Sequence, residues 1–77
     1  MIWLAIEDAD THEVSDFEPV TEAEVIYLMR GYRVDTHNPT RIHVQDVEDG
    51  HNIVYEGVTY TGGYGYNLWV ASKYREV

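Results

Sequence analysis

Apolar and polar residues alternate with a period of two in Arg41 to Glu48, and the run His51 to Thr61 lies between two glycine turn signals, Asp49-Gly50 before it and Gly62-Gly63 after it. Both dipeptides supply the positive φ angles that tight hairpins demand, so the run reads as a central strand with a neighbour on either side. With a two-residue loop at Asp49-Gly50, Val44 faces Tyr55 and Ile42 faces Gly57. A three-residue turn with a bulge sets Ile42 against Glu56 and matches worse. A two-residue loop at Gly62-Gly63 sets Thr59 against Tyr66, Gly57 against Leu68 and Tyr55 against Val70.

Earlier in the chain, Met1 to Glu7 alternates with Ile2, Leu4 and Ile6 on one side and Trp3 and Ala5 on the other, which predicts a first strand. Asp8 to Val20 has no sustained period and reads as a loop, its end set by Pro19. Thr21-Glu22-Ala23-Glu24 has the form of a capping box, and Val25, Leu28, Met29 and Tyr32 then follow at helical spacing, predicting a helix from Thr21 to Tyr32. Asn38-Pro39 marks a turn in the connector that follows.

The expected fold class is α+β in the order β-α-β-β-β, with one helix packed on a mostly antiparallel sheet and a C-terminal three-stranded meander. The first strand can lie beside either edge of the meander, and a parallel pairing with the strand after the helix requires a right-handed crossover. Under these registers Ile42, Val44, Ile53, Tyr55, Tyr66, Leu68 and Val70 form the floor beneath the helix. Val47, Val54, Val58, Tyr60, Trp69 and Ala71 fall on the opposite face, with no second helix to cover it, so that either the first strand, the acidic loop or the C-terminal tail folds over it or it is a contact surface. Val54, Tyr60 and Trp69 are therefore candidates for an apolar contact surface, facing a copy of the chain in a homo-dimer or another protein.

At 77 residues the chain is expected to be one small acidic domain, and without cysteine it rests on packing alone. Met1 to Ile6 is too short to span a bilayer and has no basic leader, so a cytoplasmic, membrane-free location is expected. Charge alters the picture more. Fourteen acids against five Lys and Arg give a formal charge of −9, which disfavours direct binding of nucleic acid or anionic membrane. Glu7, Asp8, Asp10, Glu13, Asp16, Glu18, Glu22 and Glu24 carry eight of those charges with no Lys or Arg among them.

The candidate chemistry is thin. Asp8, Asp10 and His12, with Asp35 and His37, have the residue types of a hard-cation site, but an EF-hand loop needs glycine where Glu13 stands and a carboxylate where Pro19 stands. No metal, cofactor or catalytic residue is assigned. His43 opposite Glu56 reads as a cross-strand charge pair, and Ser15 and Ser72 lack a nucleophile-elbow context. The glycines between Thr61 and Tyr66 are those of a turn, since no phosphate-loop lysine or following helix accompanies them.

The eight acids therefore form the expected partner-binding segment of a non-enzymatic module. In size and composition the chain resembles the phage-encoded inhibitors that mimic DNA to block restriction, repair or CRISPR effectors. That resemblance implies a basic nucleic-acid-binding protein as partner, with carboxylates standing where phosphates would stand. Two other readings remain open at this level: a structural homo-oligomer subunit, and a small-ligand or glycan binder using Tyr60, Tyr64 and Tyr66 with Trp69.

Overall fold

The structure, a computed structural model, describes residues 1–37, 40–47 and 50–77. The Asn38-Pro39 turn and the Glu48 and Asp49 part of the first hairpin turn lie outside the described residues. Among the described residues, six strands and one helix follow in the order β1 (Ile2–Asp8), β2 (Glu18–Val20), α1 (Glu22–Leu28), β3 (Arg33–Val34), β4 (Arg41–Asp46), β5 (Asn52–Thr61) and β6 (Tyr66–Glu76). The sheet runs β2-β1-β6-β5-β3, and β4 also pairs with β5, on the side away from β6. The class is α+β, and the strands after the helix include the expected meander β4-β5-β6.

Every pairing is antiparallel, so the first strand takes the β6 edge of the meander and the parallel crossover does not arise. Trp3 to Asp8 of β1 lie opposite Ala71 to Tyr66 of β6.

The segment expected to be a loop is instead an ordered ribbon along the outer edge of β1. It turns at Asp8, whose carboxylate accepts the Asp10 and Thr11 amides at 2.8 and 3.0 Å, and His12 completes the turn at φ 63°. On the return, Ser15 N–H bonds the Ile6 carbonyl at 2.9 Å, and β2 pairs with β1 through Ile2↔Val20 and Trp3↔Pro19. Proline has no amide to donate, which suits an outermost strand. The ribbon shows no period because it buries little besides Phe17.

The capping box forms as expected at its start: Thr21, extended at φ −82° and ψ 157°, accepts the Glu24 amide at 3.2 Å. The helix stops at Leu28, short of the expected Tyr32, because Gly31 turns the chain into the left-handed region at φ 81°. Tyr64 packs over Gly31, where a β-carbon would collide with its hydroxyl. Of the expected apolar stripe only Val25 is buried.

Both hairpin registers differ from expectation. Val44 faces Val54 and Ile42 faces Glu56, which is the bulged alternative that the residue matching disfavoured. Val47 N–H bonds the His51 carbonyl and Gly50 takes φ 73°, so three residues separate the two. In the second hairpin Tyr60 faces Leu68 and Thr59 faces Trp69, because Gly63 and Gly65 both adopt positive φ and make a longer turn than Gly62-Gly63 alone.

An odd shift exchanges the faces of a strand. Strands β4 and β6 are therefore turned over relative to β5: Tyr55 keeps its expected inward face, but the residues that join it are Trp69, 1% exposed, and Ala71 with Ala5 and Phe17, where Leu68 and Val70 were expected. Ile42, Val44 and Tyr66, expected to form the helix floor, are exposed. Phe17 stacks on Tyr55 at 4.0 Å between centroids and meets Trp69 edge-on at 5.5 Å, each pair contributing about 1 kcal/mol beyond area burial. Between Gly57↔Ala71 and Glu56↔Lys73 the ladder is irregular and β6 takes up Ser72 as an extra residue.

Candidate protein-binding surface

The ribbon decides where the eight acids go. Asp10, Glu13, Asp16, Glu18, Glu22 and Glu24 are exposed. Strand pairing, the Asp8 turn and the Thr21 cap hold them on ordered backbone. Among the described residues, none of the six has a cationic side chain within ion-pair distance, since both ion pairs involve Glu7. Asp8 is the turn's own acceptor, and the Thr11 and Asp10 amides hold its carboxyl below the usual carboxylate range.

Glu7 is a correction. It is 2% exposed, so it stands outside the acidic surface. It shares the inward face of β1 with Ala5, and three elements meet at its carboxylate. Arg41 Nη1 donates to Oε1 and Oε2 at 3.4 Å, Asn67 Nδ2 donates to Oε1 at 3.2 Å, and His12 Nδ1 stands 3.8 Å from Oε2. Arg41 also donates to the buried Thr59 hydroxyl at 3.2 Å and lies over the Trp69 ring. This cluster went unseen in the sequence, although the parity that places Glu7 with Trp3 and Ala5 was there to read.

The apolar trio is divided. Trp69 is core and offers nothing to a partner, whereas Val54 and Tyr60 are half-buried on the other face of the sheet. The cause is again the odd shift of register. A different apolar strip borders the acids: Leu4, Ile6 and Val20 line a shallow cleft with Asp16 and Glu18.

His43 and Glu56 do not pair. His43 lies opposite Tyr55 and packs against Phe17 and Trp69, while Glu56 lies opposite Ile42. Burial, and then the charge of Arg41, push the His43 imidazole below its ordinary range, partly opposed by Glu7. The proposed cation ligands do not converge either, for Asp35 accepts the His37 amide at 2.9 Å, and no cluster of three or more metal-ligating side chains exists among the described residues. In the tyrosine-rich turn, Tyr64 is docked on Tyr32 and Gly31. No helix among the described residues is long and apolar enough to cross a membrane.

No protein-family model, curated protein or solved structure matches the chain. What the surface offers chemically is binding: fixed, uncompensated carboxylates beside a narrow apolar strip.

Proposed function

We propose that the chain is an acidic protein-binding module, acting in the cytoplasm without catalysis, whose ribbon occupies the nucleic-acid-binding surface of a basic partner. The observation that carries this reading is the set Asp10, Glu13, Asp16, Glu18, Glu22 and Glu24, all exposed on ordered backbone with no cationic side chain beside them among the described residues. Carboxylates left unpaired gain most from a surface that supplies Arg and Lys, and such a surface on a nucleic-acid-binding protein already accommodates anions in a row. Occupying it excludes nucleic acid, which is the action of an inhibitor of the kind phages direct against restriction, repair or CRISPR effectors.

The test is competition. A panel of basic nucleic-acid-binding proteins from the native host is titrated with the chain in the presence of labelled duplex DNA. The expected result is displacement of DNA that weakens as salt rises, since exposed charges are screened within about 10 Å at 0.1 M. Replacing Asp10, Glu13, Asp16 and Glu18 together by lysine abolishes it, whereas reversing Asp35, Asp46, Glu56 and Glu76 matters less. Displacement by the ribbon variant equal to the parent's, or affinity unchanged between low and high salt, would defeat the reading.

A further inference from the structure

Strand β4 ends the sheet with its outer side bare. It pairs with β5 alone, and Phe17 reaches it through the Gln45 side chain at 3.0 Å, which leaves the outward backbone groups of β4 unbonded to any described segment. The strand has no proline, no lysine and no bulge in its ladder with β5 to discourage pairing at the edge, and its inward charge, Arg41, is tied to Glu7. Its outward face is also apolar, with Ile42 66% and Val44 52% exposed.

We propose that a second copy of the chain pairs antiparallel with β4 across a two-fold axis at His43, making one continuous sheet. Such an axis keeps each face on its own side, so residues opposite one another share parity and three matched sets arise. Ile42 lies against the partner copy's Val44 on both sides of the axis, forming a cluster of four aliphatic side chains. Arg41 stands opposite Gln45, each already engaged within its own chain by Glu7 and by the Phe17 amide, and His43 stands opposite itself, its imidazole biased toward the neutral form by burial. Sliding the pair by two residues sets Ile42 against Asp46 and loses the match. Self-complementarity of this kind is what an isologous interface requires, and it is why the occupant is a copy of the chain.

This association does not depend on the acidic ribbon, and the two respond to salt in opposite directions. Each copy carries a formal charge of −9, so screening strengthens pairing between copies while weakening contact with a basic partner.

Sedimentation equilibrium at high micromolar concentration is expected to show a dimer whose dissociation constant falls as salt is added. Val44→Lys is expected to raise that constant by about tenfold or more, since its ammonium must be desolvated against Ile42. Because the chain has no cysteine, engineered thiols give an independent readout of register. Equimolar Ile42→Cys and Val44→Cys chains are expected to form the mixed disulfide well above the twofold excess over either homodimer that random pairing gives, under mild oxidation. A monomer under all salt conditions overturns the proposal. So does a dimer that Val44→Lys leaves intact, or a mixed-disulfide yield no greater than random pairing.

Discussion

Glu7 and Arg41, separated by 34 residues in sequence, meet at 3.4 Å and fasten the first strand to the fourth across the core face. The carboxylate is buried and the guanidinium only partly so, which makes the pair unequal. Glu7→Ala strands a half-covered charge beside the Thr59 hydroxyl. The expected loss is about 2 kcal/mol in urea unfolding, below the usual cost of breaking a buried pair because Arg41 can still turn toward water. Glu7→Gln keeps the shape and is expected to cost less. An unchanged midpoint for the alanine variant would remove the pair from the account of stability.

Trp69 is expected to be intolerant of charge. A domain of 77 residues has a total stability of about 4 to 12 kcal/mol, and truncating a buried tryptophan costs about 3 to 5 kcal/mol. Trp69→Glu adds an unpaired buried carboxylate to that loss and should leave no cooperative transition in circular dichroism. Trp69→Phe should remain folded with a lowered midpoint.

Gly57 is held closely against β6. A β-carbon there would run into the Val70 carbonyl and the Ala71 backbone, neither of which can rotate away. Gly57→Ala is expected to cost about 3 kcal/mol, at the upper end of overpacking effects, or to prevent folding. The same change at Gly50, whose β-carbon would meet open space, tests only backbone strain at φ 73° and should cost less.

Acid should weaken the fold through His43 before it reaches the carboxylates. The folded imidazole is held below its ordinary range, so the unfolded chain binds more protons and stability rises with pH in this window. Stability is expected to be level above pH about 6.5 and to decline below it toward the lowered folded value. Asp8 has a carboxyl depressed by the turn, and its contribution is lost only at lower pH still. Thermal melts from about pH 5 to about pH 8, on either side of an ordinary histidine's value of roughly 6.5, check the first step. His43→Gln should flatten the curve, and a parent that melts identically throughout would contradict the burial assigned to His43.

The sequence made some elements legible and misplaced others, for distinct physical reasons. The Thr21 cap was readable because it is a local arrangement of four residues, and its Thr21 half formed as expected. The hairpins were readable as hairpins, but three glycines in Gly62 to Gly65 permit more than one turn. The choice between turns depends on packing far away, at Gly57 and Trp69. A wrong parity in each hairpin then assigned Trp69 to the surface and Ile42 to the floor, the reverse of where they lie. The ribbon was missed because an outermost strand that buries one side chain, Phe17, carries no period to detect. Six of the eight acids are exposed; Asp8 is half-buried in its own turn, and Glu7 is buried, its neighbours on the same parity being Trp3 and Ala5.

Pro19, sitting opposite Trp3 on the last strand beyond β1, sets a limit on how far this sheet can be extended. A fibre needs two edges that each accept the next molecule. Here one side ends in a residue with no amide hydrogen, next to the carboxylate of Glu18, and is closed to an incoming strand. Addition at β4 therefore uses the one side left open among the described residues, and growth terminates once two such sides have met.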